Sequence, residues 1–210
     1  MKVKCIRCNR EALIIRKHSG ERYCKFHFIK KIRKDIIKNI TSLDPNRENI
    51  FFVPDKRLYI EIFNTIILKY LKKAKLDYIL LKLQDPHSPK NISLEVSKIE
   101  RNYLLILSKT YRSNVILLKT IDELAHDILL LQIYNRHSLL KLLTSNIVKI
   151  RKPLFHYMSY EMEQIFNISH PPMCTTEKLL KRISEEKPSI VFSIINFIEN
   201  FQRTNFKVSN

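Results

Sequence analysis

The sequence predicts an α/β protein: a parallel sheet preceded by a zinc knuckle and closed by C-terminal helices. Three observations carry that reading. Short apolar runs of β-like composition alternate with longer segments of helical period, at crossover spacing. Three of the four cysteines fall between positions 5 and 24, and His27 stands where a fourth ligand would. The only glycine among 210 residues, Gly20, lies between the two ligand pairs.

The knuckle comes first. Cys5-x2-Cys8 and Cys24-x2-His27 are two pairs separated by 15 residues, a spacing that closes a tetrahedron on one ion. Four protein ligands leave no open coordination position, which describes structural zinc. A small cysteine-bearing hairpin without metal is the competing reading. Phe26 and Phe28 are expected to pack the module on the chain that comes after it.

A basic helix is next. Ile29, Ile32, Ile36 and Ile40 recur at helical spacing, and Lys30, Lys31, Arg33, Lys34 and Lys38 occupy much of the remaining circumference, with Lys25 at the start. Docked by its isoleucines, this helix would show a positive ridge suited to phosphate. A solvated helix face is the alternative. The ridge is part of a wider asymmetry. The formal net charge is +18, and residues 1–38 hold thirteen Lys or Arg against three Asp or Glu, so +10 sits in this segment. An excess so placed points to a polyanion, because Lys and Arg displace the counterions of nucleic acid. Charge alone does not choose RNA over DNA.

The body begins after the break at Asp44-Pro45-Asn46. ENIFFV reads as the first strand and LYIEIFNTIILKYLKKAK as one helix ending in lysines. DYILLKL is a second strand, SLEVSKIERNYLLILSKTY a helix, NVILLK a third strand, and IDELAHDILLLQIYNRHSLLKLL one long helix. From Thr175, TEKLLKRISEEK and PSIVFSIINFIENFQ read as two helices joined at Pro188. The divisions are therefore 1–40 (knuckle and basic helix), 41–172 (α/β body) and 173–210 (C-terminal helices).

The chain is long enough for one core plus a small module. Its best apolar run, 115–133, is interrupted by Lys119, Asp122, Glu123, His126 and Asp127, so no membrane span is expected. The start, MKVKCIRC, lacks the apolar core of a secretory signal. A cytoplasmic location is therefore the expectation, with reduced cysteines, which favours metal over disulfides.

The first strand should deliver any nucleotide to a glycine-rich turn, whose amides meet the phosphates. The turn here is Val53-Pro54-Asp55-Lys56-Arg57. It has no glycine, Pro54 removes an amide donor, and Asp55 adds negative charge. Among the histidines, His126 and Asp127 are adjacent and are expected on different helix faces. Asp122 and Glu123 at a helix start read as solvated or capping acids, with magnesium as the alternative.

In order, knuckle, basic helix and α/β body resemble the tRNA 2-thiouridine synthetases of the TtuA and cytosolic tRNA-thiolation type, within the PP-loop (adenine nucleotide alpha hydrolase-like) ATP-pyrophosphatases. The resemblance spans nearly the whole chain. Where that family has an SGGKDS-like loop, Val53–Leu58 keeps only Lys56. Its CxxCG-xxRR-xLLN helix is similar to Leu94–Ile106, with Leu94 and Ser97 at the cysteine positions and Arg101, Leu104 and Leu105 retained. Its GHNxDDxAxxxL segment is similar to Leu118–Leu129, with Leu118 and Lys119 in place of Gly-His and with Asp122, Ala125 and Leu129 retained. Its RIKPL segment resembles Lys149–Leu154, which adds Arg151 and Lys152 to the RNA-facing candidates. The region of its further catalytic cysteine reads His170-Pro171-Pro172-Met173-Cys174.

The resemblance implies a framework kept and a chemistry lost. It implies a non-catalytic, zinc-containing RNA-binding protein, with tRNA as the RNA, which accompanies an active thiolation paralogue. No ATP and no iron–sulfur cluster are expected, since Cys174 alone cannot hold one. Two alternatives stay open: a tRNA-modifying enzyme with a rearranged site of Lys56, Lys119 and Asp122, with Cys174 accepting sulfur; or a ribosome-associated factor.

Overall fold

The computed structural model describes residues 3–84, 92–140, 150–168, 175–194 and 196. The N-terminal module is a short antiparallel hairpin of β1 (Ile14–Ile15) and β2 (Arg22–Tyr23), with Ile14 opposite Tyr23. Its turn needs the one glycine: Gly20 has φ +69° and its amide donates to the Arg16 carbonyl at 2.7 Å. A Cβ there would meet nothing within 4 Å, so backbone conformation, and not space, is the reason for glycine.

Helix α1 (Lys25–Thr41) starts directly from the hairpin, with Cys24 as its N-cap residue. Its buried stripe is Phe28, Ile32, Ile36 and Ile40, while Ile29 lies at the margin. Phe28 meets the sequence expectation by packing edge-on to Tyr157. Phe26 does not: it is 60% exposed, because it sits two residues off the stripe on a helix of 3.6-residue period.

Four parallel strands form the sheet. They are β3 (Glu48–Pro54), β4 (Ile79–Leu83), β5 (Ser113–Leu117) and β6 (Ile150–Arg151), in the order β4-β3-β5-β6. Phe51 pairs with Leu80 on one side and Ile116 on the other. The central strand is buried on both faces, as a parallel strand between helical layers must be. Alternate side chains serve two cores. Phe51, Val53 and Ile116 face α1; Ile50, Phe52, Val115 and Leu117 face the layer formed by α4 (Ile92–Lys109) and α5 (Ile121–Ile133).

Between β3 and β4 the predicted single helix is α2 (Arg57–Ile62), a π-helical segment (Phe63–Ile67) and α3 (Leu68–Ala74). The wide turn keeps Leu58, Ile62 and Ile66 on one row and Tyr59, Phe63 and Ile67 on the next, all buried. The predicted long helix from 121 to 143 is also broken. α5 ends at Ile133, Asn135 takes φ 55°, and a new helical turn begins at 137. Asparagine tolerates that left-handed conformation better than most residues, which makes it a natural stop.

Helix α6 (Ser159–Phe166) comes after β6, and α7 (Thr175–Glu186) leads into a helical run over 188–194. The expected loop at 85–89 and the segment from His170 to Cys174 lie outside the described residues. Among the described residues, no helix is long and apolar enough to cross a membrane.

Candidate functional site

The sequence pairs Cys5/Cys8 and Cys24/His27 converge. One ligand atom from each of the four residues lies within 4.8 Å of the others. Cys5 Sγ is 3.6 Å and Cys24 Sγ 3.4 Å from His27 Nδ1, and the Cys8 and Cys24 sulfurs are 3.8 Å apart. A tetrahedral zinc with its usual bond lengths separates sulfur from sulfur by about 3.8 Å and sulfur from nitrogen by about 3.6 Å. The donor set therefore fits one four-coordinate ion. A four-iron cluster would spread its ligands wider. Burial pushes the Cys5 thiol up, but the backbone amides of Cys24 and Arg7, with His27 and Cys24 side chains, outweigh it and bring it to about 6. A thiol held so low is ready to act as thiolate ligand.

Beside this cluster runs the ridge. Lys25, Lys30, Arg33, Lys34 and Lys38 are all exposed on α1. Lys31 is half-buried and lies 3.8 Å from Asp35, which also accepts the Tyr157 hydroxyl. Arg151 is exposed and donates to the Ser42 carbonyl just beyond the end of α1, at 3.4 Å. Lys152 lies over the Phe155 ring, 4.8 Å from its centroid.

The third set, Lys56, Lys119 and Asp122, lies at the carboxyl end of the sheet, where open α/β sheets bind ligands. The structure gives each a protein partner. Lys56 Nζ is 2.8 Å from Glu123 Oε1, and the Tyr59 hydroxyl donates to the same carboxylate. Lys119 pairs with Asp127, which also accepts the Tyr103 hydroxyl at 2.8 Å. Burial pushes the Glu123 carboxyl up, but Lys56 and Lys119 outweigh it and hold it below the usual range. Asp127 is likewise held well down against burial by Lys119 and His126. Two amides of the turn are already engaged. The Asp55 amide donates to Leu83 at 3.2 Å and the Lys56 amide to Pro54 at 2.7 Å, and Pro54 has no N–H.

The structure corrects two expectations. Asp122 is not solvated. It is buried and accepts the amide of Ser159 at 3.0 Å together with its hydroxyl, so it caps the start of α6. Adjacent His126 and Asp127 are not kept apart: His126 Nδ1 is 3.8 Å from Asp127 Oδ1, and its Nε2 is 3.5 Å from Glu95. Sequence reading missed Arg16 altogether. It is buried in the hairpin turn and paired with Glu161 on α6. No local signal marks it, since its partner stands 145 residues away.

No family model matches the chain, and no curated relative matches it. A solved structure does. The U34-tRNA thiolase NcsA from Methanococcus maripaludis, determined with its [4Fe-4S] cluster, superposes with a TM-score of 0.59 at 15% identity, over 97% of this chain and 88% of that one. A likeness at that identity speaks for the fold, and it agrees with the parallel sheet and its flanking helices. This chain has an α/β fold like that of this tRNA thiolase, with a Cys3His group at its N-terminus that can hold a metal ion.

Proposed function

We propose that this chain is a non-catalytic RNA-binding protein, with tRNA as its RNA, built on the thiolase fold around a structural zinc. The observation that carries the reading is the state of the carboxyl end of the sheet. The turn amides of Asp55 and Lys56 are bonded to backbone carbonyls, Pro54 has none, and Lys56 and Lys119 face Glu123 and Asp127. A phosphate placed there would have to displace buried carboxylates and would find the Asp55 and Lys56 amides already bonded. Lys25, Lys30, Arg33, Lys34 and Lys38 of α1, by contrast, stand in solvent. Zinc, held by Cys5, Cys8, Cys24 and His27, supplies rigidity that ties the hairpin to the start of that helix.

Cytoplasmic tRNA handling beside an active thiolation partner fits this division of labour, and the neighbour's substrate class supports tRNA. The absence of an iron–sulfur cluster remains a proposal set against the neighbour's own cluster. It rests on Leu94 and Ser97 at the cysteine positions, and iron quantification on anaerobically purified protein checks it.

The test is tRNA affinity by fluorescence anisotropy across a salt series. The natural chain should bind with a negative log–log slope. Replacing Lys30, Arg33, Lys34 and Lys38 by glutamine should weaken binding and flatten the slope by about 0.7–0.9 for each phosphate no longer neutralised. Absent binding at moderate salt would overturn the reading. In parallel, millimolar ATP should leave the melting temperature unchanged, and a clear rise would return the enzyme alternative. Crosslinking to ribosomal RNA in place of tRNA would favour the ribosome-associated factor.

A further inference from the structure

At the opposite, amino end of the sheet, the turn between α1 and β3 encloses a cavity of about 300 Å³ against the starts of β5 and β6. That is the lower end of small-ligand pockets, room for a single small molecule. Ser42, Arg47, Thr110, Ser113, Asn114 and Arg151 supply its polar lining.

The walls are fixed in advance. The Asn114 amide donates to the Asp44 carbonyl at 2.7 Å and to Asn49 Oδ1 at 3.0 Å, and its oxygen accepts the Asp44 amide at 3.3 Å. The turn is thus pinned to β5. Asp44 also lines the cavity, and its carboxylate is already engaged. It accepts the Asn46 amide at 3.0 Å and lies 3.3 Å from Arg47 Nε. That contact aims the Arg47 fork while leaving its two terminal nitrogens without a partner among the described residues. Arg151 comes in from β6 and covers the Ser42 carbonyl, which offsets the negative end of the α1 dipole. Ser113 is a buried residue whose hydroxyl has no side-chain partner among the described residues, and the Thr110 hydroxyl donates to the Leu107 carbonyl at 2.8 Å while its oxygen keeps acceptor capacity.

We propose that this cavity takes one nucleotide of an RNA strand, its phosphate on the Arg47 and Arg151 guanidiniums and its sugar or base edge on Ser113 and Thr110. Two planar forks beside one neutralised acid make a phosphate site, because guanidinium meets phosphate oxygens in pairs. The location fits the occupant. Ser42 is the C-cap residue of α1, and Lys38 stands in its last turn, so the cavity opens where the exposed basic ridge ends. A strand tracking the ridge would reach it. The inference rests on the RNA-binding reading for its source of nucleotide, but not for its chemistry.

The test therefore separates the two. Uridine 5′-monophosphate is titrated into the full chain, and backbone and arginine Nε–H signals are followed by NMR. Saturable shifts should appear over 42–47 and 110–115 and on Arg47 and Arg151. Arg47→Gln should weaken binding at least tenfold with its melting temperature retained, and Arg151→Gln should do likewise. A Lys30→Gln/Lys34→Gln chain should keep mononucleotide binding while losing tRNA affinity. No shifts at millimolar concentration, or shifts confined to α1 or to Lys56 and Lys119, would overturn the site even if tRNA still binds. Equal shifts from inorganic phosphate alone would overturn the nucleotide assignment. Mononucleotide binding without tRNA binding would sink the ridge and leave the cavity.

Discussion

The Arg16 guanidinium lies 3.2 Å from Glu161, with neither side chain more than 4% exposed. The pair joins the hairpin turn to the first turn of α6. Arg16 also reaches Glu21 at 3.0 Å and the His156 carbonyl, and Glu161 accepts the Met158 amide at 3.1 Å. The N-terminal hairpin is therefore seated on the body through a desolvated charge whose three guanidinium nitrogens each find a partner. Arg16→Met should cost about 3–5 kcal/mol, because it strands Glu161 in the interior, and Arg16→Met/Glu161→Met should recover much of that. Urea unfolding of both variants decides the point. Equal losses would mean that the pair does not couple the two elements.

The Cys5→Ser/Cys8→Ser chain should lose its metal and the dispersed amide signals of residues 3–24, while signals from the sheet persist. Metal ligation by a small module is folding free energy for that module. Purified natural chain should carry one zinc, read by elemental analysis, and a chelator should reproduce the variant's spectrum.

Lys119 and Asp127 make the second buried pair, at 7% and 2% side-chain exposure. Lys119→Met should destabilise by about 3–5 kcal/mol, since Asp127 would keep only the Tyr103 hydroxyl and His126. ATP should raise the melting temperature of neither the natural chain nor this variant. If the natural chain showed such a rise and Lys119→Met abolished it, the carboxyl end of the sheet would be a working nucleotide site after all.

Acid should loosen the junction of hairpin and body, where Arg16 sits, by a different group. His18 packs on Phe192, with ring centroids 4.9 Å apart, and faces Arg16, Glu21 and His156. Burial, then the Arg16 charge, lower its pKa to about 4, with Glu21 opposing. An unfolded imidazole titrates near 6.5, so between about 6.5 and 4 the unfolded chain binds more protons. Stability is thus whole above 6.5 and falls as pH drops toward 4. His156, lowered by burial despite Asp35, adds in the same direction. Partial solvation of the ring keeps the effect below its full linkage value. Denaturation midpoints at pH 7 and pH 4.5 should differ less in His18→Phe than in the natural chain, and an unchanged difference would clear His18.

Much of this was legible in advance, for local reasons. ENIFFV, DYILLKL and NVILLK are short apolar runs of β-like composition, and they became β3, β4 and β5, although the edge strand β4 leaves Ile79 and Leu80 exposed. The four ligand positions were legible because metal geometry constrains sequence spacing. β6, two residues long, carries too little pattern to see. The end of α5 was hidden because Leu139 and Leu140 continue the apolar period beyond the turn at Asn135. The partners of Lys56 and Arg16 were invisible for another reason. Glu123 and Glu161 come from other elements, and a charge says nothing of its counterion until the chain is folded.

The π-helical segment between α2 and α3 bears on how this chain tolerates changes in length. A wide turn is a helix holding one residue more than its register needs. Loss of a single residue between Phe63 and Ile67 could be absorbed by tightening that turn, leaving Leu58 and Leu71 facing the same core. The same deletion inside α1 has no slack to consume. It would swing everything downstream by about 100° and carry the isoleucine stripe away from the sheet. Natural relatives with gaps in this region should place them in the first helix pair and not in the basic one.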